Sequence, residues 1–576
     1  MDKILRVNMT NLTVKVEPVP ADWAGLGGRA LTSTIVAAEV PPTCHPLGPN
    51  NKLVFAPGLL SGTAASNANR FSCGSKSPLT GGIKECSAGG TSSRIIARLG
   101  YKAIVVEGKP AGDTWYTVVV DKDGATIKPE TEVLRLGTFA TVQHVNEHYG
   151  EDFGVITLGP AGENLMAIAN ISVKDPESKI RSFGRGGLGA VMGSKKIKMI
   201  VINPEGGVAL PLADPAKFKA ANQAFTKTLL DHPVSGQGLK KYGTAVLVNV
   251  LNEAGGLPTK NFTSGQCAHH DAISGETMYD NIVARGGEPS HNCSPSCQIQ
   301  CSQIYNDKDG NYVTSGFEYE TIWALGADGM VEDLDVIAEI DNVFDDIGVD
   351  SIETPVMFAV AMEAGLIPWG DGKRILELLR NDITNATPLG RMLGGGTGHV
   401  GRAFGMTRIP VVKNQAIPAY DPRPIKGIGV TYATTTMGAD HTAGYAIATN
   451  ILNVGGKVDP LSNDGQVELS RNLQIATAAI DSTGLCLFIA FPALDIPACL
   501  GGVIDMLNAR YGINLTGDDV IGLGKQVLKI EHAFNLAAGL GPETDRLPEF
   551  FELESIAPHN VKWDMDQKEL ASFWNF

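Results

Sequence analysis

Hydrophobic positions follow two different patterns along the chain. In the first third they come as short runs: Ile4–Val7, Val14–Val16, Leu53–Ala56, Ala103–Glu107, Tyr116–Val120, Val155–Leu158 and Ile197–Ile202. Runs of this length between turn-forming residues predict strands. Asp123-Gly124 follows one of them and predicts a tight turn. The segment Asn203-Pro204-Glu205-Gly206-Gly207 breaks the pattern. Beyond it the apolar spacing becomes three and four. Phe218, Ala221, Phe225 and Leu229 form one stripe, with Asp214 as its cap and Pro215 at the first helical position. Leu334, Ile337, Ile340 and Phe344 form a second stripe. Asp341, beside that stripe, is expected to face solvent. Gly348 is expected to end the helix and Thr354-Pro355 to open the next. Pro410, Pro418, Pro422 and Pro424 mark another break. The expectation is an α+β fold: a β-rich domain over residues 1–208, then two mainly helical domains over 209–415 and 416–576.

A chain of 576 residues with 43% hydrophobic content can bury large cores, so disorder is not its main theme. The net charge of −15, without a long basic run, argues against nucleic acid as the main partner. The start, MDKILRVNMT, lacks the charged-then-apolar layout of a secretory signal. No apolar run reaches the roughly 18 residues that a membrane span needs. A cytoplasmic location is therefore expected. Nine cysteines, an odd number, favour metal or reactive thiols over disulfides.

Three of those cysteines stand close together in Cys293-Ser-Pro-Ser-Cys297-Gln-Ile-Gln-Cys301. Thiolates are soft ligands for iron–sulfur clusters or zinc. Three cysteines on one loop can hold three corners of a cubane whose fourth ligand is remote. Cys486 is the best candidate for that ligand. A zinc site and unrelated buried thiols are the alternatives, although the two CxxC-like pairs usual for zinc are absent. Gly184-Arg185-Gly186-Gly187-Leu188-Gly189 matches the dinucleotide motif GxGxxG. A dinucleotide fold needs a strand immediately before it, and Asp175–Phe183 reads as charged and polar. Ser87-Ala88-Gly89-Gly90-Thr91 is a second loop rich in backbone donors. Both loops suit phosphates or a polar heterocycle, or are only tight turns. An Asp-x-x-Gly pattern recurs at Asp345–Gly348, followed by Val349 and Asp350, and at Asp481–Gly484, followed by Leu485 and Cys486. These carboxylates suit ring N–H donors of a ligand, or serve only as helix caps.

Taken in order, KSPLTGG (76–82), GRGGLGAVMGSK (184–195), GFEYET (316–321), Asp345–Asp350, PAYDPR (418–423), MGADH (437–441) and Asp481–Cys486 resemble the tungsten-containing aldehyde ferredoxin oxidoreductase family over nearly the whole chain. The resemblance implies a β-rich platform for a bis-pterin cofactor carrying tungsten or molybdenum, covered by helical domains. It also implies a [4Fe-4S] cluster on Cys293, Cys297, Cys301 and Cys486, and Mg2+ between the cofactor phosphates. Arg70, Ser87, Ala88, Gly89, Arg185, Gly186 and Gly187 would contact the pterins from the platform. Asp345, Val349, Asp350, Asp481 and Leu485 would do so from the helical side. Two departures stand out. The cysteine spacing is CxxxCxxxC where the family usually has CxxCxxxC, and Ser87 stands where asparagine is common. Some members bridge subunits through an iron held by a glutamate and a histidine three residues later. Here Glu339 matches the glutamate but Asn342 replaces the histidine, so that iron is not expected.

The reaction implied is reversible two-electron oxidation of an aldehyde to a carboxylic acid, with a ferredoxin or ferredoxin-like subunit as electron partner. Glu320 and His441 are the implied acid/base groups, with a raised carboxylate pKa expected for Glu320 inside apolar walls. A homo- or hetero-oligomer is compatible with this reading. Reduction of an aryl-CoA ring, known for some relatives, is the alternative chemistry.

Overall fold

In the computed structural model, which describes residues 1–576, each of the seven apolar runs lies on a strand, and only Leu158 falls past a strand's end. The strands build two six-stranded sheets. The first runs Thr13–Pro18, Lys3–Asn8, Tyr101–Glu107, Leu53–Pro57, Phe71–Lys76, Ile83–Ala88, with one parallel pairing, between Lys3–Asn8 and Tyr101–Glu107. The second runs Ile180–Phe183, Ile171–Lys174, Gly154–Thr157, Ile197–Ile202, Trp115–Asp121, Gly124–Glu130. Asp121 pairs with Gly124 across the turn predicted at Asp123-Gly124. The sheets share a core in which the rings of Phe55, Phe71 and Phe183 meet at centroid distances of 5.6–5.8 Å. Burial of apolar faces on this scale, at about 25 cal/mol per Å², is what makes the platform rigid.

The segment before the glycine motif corrects the expectation that no strand precedes it. Ile180–Phe183 is a short strand and Leu188–Ser194 a helix. The strand's middle residues, Arg181 and Ser182, are polar because they face a cavity. The strand lies at the sheet edge and pairs antiparallel with Ile171–Lys174. A dinucleotide-binding unit needs parallel neighbours joined by the helix, so the topology excludes it.

Helices dominate the remainder. Asp214 caps Pro215–Asp231 by accepting from Lys217 N at 3.0 Å. Leu334–Ile347 ends at Gly348, whose φ of 73° is left-handed. The following helix starts at Glu353, with Thr354-Pro355 inside its first turn rather than opening it. Asp341 is buried, contrary to the expectation of solvent exposure. A three-stranded sheet (Glu288–His291, Ser302–Asn306, Tyr312–Ser315) packs on that face, and Thr314 donates its hydroxyl hydrogen to Asp341 at 2.6 Å. The helix Gly517–Ala537 returns to the platform and packs on Gly28–Glu39. Arg29 and Glu531 form a buried two-pronged pair there, at 2.9 and 2.8 Å.

Candidate functional site

Two sequence-distant threads meet on the platform segment Asn67–Arg70. One is the cysteine loop between the strands Glu288–His291 and Ser302–Asn306. The other is the turn after the helix Gln466–Thr483, where Gly484 is left-handed at φ 84°. Asn67 N donates to Ser296 O at 2.9 Å, Cys486 N to Asn67 O at 2.9 Å, and Arg70 N to Gly484 O at 2.9 Å. Gly90 N donates to Cys293 O at 2.7 Å, and a Cβ on Gly89 would stand 2.6 Å from that oxygen. Only glycine therefore lets the loop seat this closely.

Cys293, Cys297, Cys301 and Cys486 all carry free thiols that influence one another electrostatically. A hydrogen bond from the Cys297 thiol, and then Arg70 and Arg181, overcome burial and bring Cys293 down to about 6. Its partner Cys297 is pushed well above the ordinary thiol value, by that bond and by burial.

Beside the thiols lies a cavity of about 600 Å³. Of the residues singled out from the sequence, Arg70, Gly89, Cys293, Cys301, Glu320, Asp345, Val349, His441 and Cys486 line it. The others stand behind its wall. Ser87 accepts from Arg70 through its hydroxyl at 3.1 Å and its carbonyl at 2.7 Å, and so aims that guanidinium. Ala88 is buried in the sheet core. Arg185 donates to Asp350 at 3.2 Å and to the carbonyls of Ala439 and Ala416 at 2.7 and 2.8 Å. Asp350 also caps the next helix, accepting from Ile352 N and Glu353 N. Gly186 and Gly187 are left-handed at φ 85° and 75°. Asp481 meets Arg29 at 3.3 Å, and Cys297 and Leu485 pack in one apolar cluster with Cys301.

The lining also carries a carboxylate–imidazole pair. His441 Nε2 lies 2.9 Å from Glu320 Oε1, and the Tyr420 hydroxyl donates to the same oxygen at 2.9 Å. Burial pushes Glu320 up, but His441 and these hydrogen bonds outweigh it and hold the group below the ordinary glutamate value. The expected raised pKa belongs instead to Glu318, brought to about 8 by burial and by the charge of Glu320. Glu318 lines the same cavity and accepts from Thr244 Oγ1 at 2.6 Å. Sequence reasoning did not single out Glu318, Arg181 or Asn67 as site residues. It placed Asp341 in solvent, although Asp341 and Asp345, four apart on one helix face, both reach the cavity. That spacing was the available signal. Burial raises both, Asp341 to about 7.

The lining fits a polar, hydrogen-bonding cofactor. Ser182, Ser302, Ser315 and His441 line the cavity, and the three serine hydroxyls and Nδ1 of His441 are buried without a hydrogen bond. A Cβ added to Gly184 would meet nothing within 4 Å, so bare backbone faces the space. Buried polar atoms left in this way call for a partner.

A β platform roofed by helices, with clustered thiols and a carboxylate–imidazole pair lining one cavity, has the architecture of a cofactor-dependent oxidoreductase. The family model described as the N-terminal domain of aldehyde ferredoxin oxidoreductase matches residues 4–204, and that for domains 2 and 3 matches residues 220–571. The chain belongs to the aldehyde ferredoxin oxidoreductase family. It is 36% identical to the tungsten-containing aldehyde ferredoxin oxidoreductase of Pyrococcus furiosus, over 96% of this chain and 92% of that one. The enzyme of the same name from Thermococcus kodakarensis matches at 36% with the same coverage. An aliphatic sulfonate oxidoreductase, WOR-like subunit, from Pyrococcus furiosus is 23% identical over 96% of this chain and 89% of that one. Among solved structures, the active-site complex BamBC of benzoyl coenzyme A reductase with 1,5-dienoyl-CoA shares the fold. Its TM-score is 0.81 at 19% identity, over 100% of this chain and 93% of that one. No helix is long and apolar enough to cross a membrane.

Proposed function

We propose that this chain oxidises aldehydes to carboxylic acids, reversibly, at a tungsten or molybdenum bis-pterin centre and passes the electrons through a [4Fe-4S] cluster to a ferredoxin or ferredoxin-like subunit. The observation that carries this reading is the Glu320–His441 pair opening into the cavity that Cys293, Cys301 and Cys486 also line. When bound, the metal pterin supplies the two-electron chemistry and the cluster relays electrons singly. Cys293, Cys297, Cys301 and Cys486 would hold the cluster. Arg70, Gly89, Gly184, Asp345 and the three unpartnered serines would hold the pterins, with Mg2+ between their phosphates. Residues 1–208, 209–415 and 416–576 serve as platform and two covers, and the cytoplasm suits such a cluster.

Conversion of an aldehyde and water into an acid releases two electrons and two protons. The chain's part is to move those protons. The Nε2 contact to Glu320 assigns the imidazole hydrogen to Nε2 and leaves the Nδ1 lone pair without a protein partner, on a residue that lines the cavity. His441 Nδ1 takes a proton from the water that adds to the carbonyl carbon. Glu320, ionised because its pKa is depressed, stabilises the imidazolium that forms. Tyr420 fixes the carboxylate, and Tyr445, 3.0 Å from the Tyr420 hydroxyl, extends the chain of hydrogen bonds. Glu318, neutral at pH 7, keeps a second proton in reserve. The aldehyde reading is favoured over aryl-CoA reduction by the relatives at 36% identity.

The test is anaerobic purification followed by metal analysis and an aldehyde-dependent dye-reduction assay. Iron, sulfide and tungsten or molybdenum, with reduction of a viologen by simple aldehydes, is the expected result. A colourless, zinc-containing protein, or one inert to every aldehyde while active on an aryl-CoA, would overturn the reading.

A further inference from the structure

The cysteine loop of this chain holds one residue more between its first two cysteines than the CxxC spacing, and the structure shows where that residue goes. Ser296 is left-handed, with φ 67°, an unusual conformation for a serine. Its carbonyl turns toward the platform and accepts the N–H of Asn67 at 2.9 Å. Asn67 is itself left-handed, at φ 57°, and is 4% exposed. Its side chain uses both ends on the same loop. Oδ1 accepts from Gln298 N at 2.9 Å and Nδ2 donates to the Cys297 sulfur at 3.5 Å. Its carbonyl accepts from Cys486 N at 2.9 Å. One residue without a thiol thus touches the backbone on either side of Cys297, the sulfur of Cys297, and the backbone of the remote fourth cysteine.

We infer that Asn67 is the positioning residue that lets the lengthened CxxxCxxxC loop hold a cluster, by pinning the Ser296 turn and Cys486 to one point and by donating a hydrogen bond to the Cys297 sulfur. The inference rests on the cluster assignment above. The two arms of the amide have separable effects. The oxygen arm fixes loop shape and governs whether iron is retained. The nitrogen arm places a donor on a ligand sulfur, and such donors raise the reduction potential of an iron–sulfur centre by stabilising its more negative reduced state. Asparagine is among the few residues that accept a left-handed backbone while offering both a donor and an acceptor.

The experiment compares the anaerobically purified full chain with Asn67→Gly, Asn67→Asp and Gln298→Glu. Glycine tolerates the backbone angle and keeps the main-chain contacts, but removes both arms. Aspartate keeps the oxygen arm and removes the donor. Iron and sulfide per chain, and the cluster midpoint potential followed by electron paramagnetic resonance, are read for each. Asn67→Gly is expected to lose iron relative to wild type. Asn67→Asp is expected to recover the iron but to titrate at a lower potential. A merely structural role would leave the potential of the iron-replete aspartate variant no lower than that of Gln298→Glu, which adds the same charge next to Cys297 without removing the donor. Wild-type iron content in Asn67→Gly, or a potential in Asn67→Asp no lower than in Gln298→Glu, would overturn the inference while the cluster assignment stands. A wild-type protein without iron would overturn both.

Discussion

His441 Nε2 stands 2.9 Å from Glu320 Oε1, yet the imidazole's other nitrogen has no protein partner although it is buried. Buried ring nitrogens are ordinarily hydrogen-bonded, and the unsatisfied Nδ1 accords with the proton-transfer role proposed above. General acid/base groups contribute roughly 10²–10⁴-fold to rate. Glu320→Gln and His441→Ala should each lower kcat by about that factor, with iron and tungsten or molybdenum content unchanged. Steady-state turnover of metal-quantified protein checks this. Full turnover in either variant would remove the pair from the mechanism.

A second consequence concerns stability against pH, and its source lies away from the thiols. Asp328 is fully buried and forms no salt bridge. Burial raises it from 3.8 to about 8, with the backbone N–H groups of Asn261 and Phe262 pulling weakly the other way. The folded state therefore keeps a proton that the unfolded chain gives up above about pH 4. The stability linked to this group is whole below that pH, falls as pH rises toward 8, and levels off beyond. Thermal melts of wild type should show a Tm decline from pH 5 to pH 8, to which Glu318 and Asp341 also contribute, and Asp328→Asn should make that decline shallower. Parallel curves for the two proteins would show that another group sets the slope.

The parts of this architecture that could be read from the chain are those whose cause is local. Strand-length apolar runs, the cap at Asp214 and the stop at Gly348 depend on neighbours in sequence. The strands Phe71–Lys76 and Ile83–Ala88 escaped notice because they are almost wholly buried yet polar in sequence, FSCGSK and IKECSA. Their polar side chains are buried by elements from other parts of the chain. Lys84, for example, meets Asp440 at 3.0 Å. Arg181 and Asp341 were missed for the same reason, since the elements that bury them come from other parts of the chain. Cys486 could be singled out from the chain as the remote partner of the cysteine triplet; nothing in its own surroundings in sequence announces the role inferred for Asn67 in seating it.

The joint between platform and helical cover makes a third prediction. Glu531 accepts from Arg29 through both oxygens and also from Ser33 at 2.8 Å and Thr436 at 2.7 Å. Its side chain is fully buried. Glu531→Ala strands a buried guanidinium with only Asp481 in reach, so it should cost about 3–5 kcal/mol. The exposed pair Arg380–Glu339, at 2.8 Å, should cost no more than about 1 kcal/mol on Arg380→Ala. Denaturant melts of both variants test the contrast. Equal small losses would mean that the joint does not depend on its buried ions.

The nine cysteines offer a sharper test than any single deletion. Cys486 and Cys499 lie in the same helical region, thirteen positions apart in sequence. Cys499 is fully buried among apolar side chains, does not line the cavity, and its thiol turns to Thr228. Cys486 lines the cavity and is tied through its N–H to Asn67. If burial alone made a thiol important, Cys499→Ala would do the greater harm. If metal ligation does, Cys486→Ala should bleach the brown absorption and lower iron per chain while the helical circular dichroism stays intact. Cys499→Ala should keep full iron and lose only about 1–2 kcal/mol of stability from the small cavity it leaves. Iron analysis and visible spectra of the two proteins side by side give the answer, and retention of wild-type iron by Cys486→Ala would refute its part in the cluster.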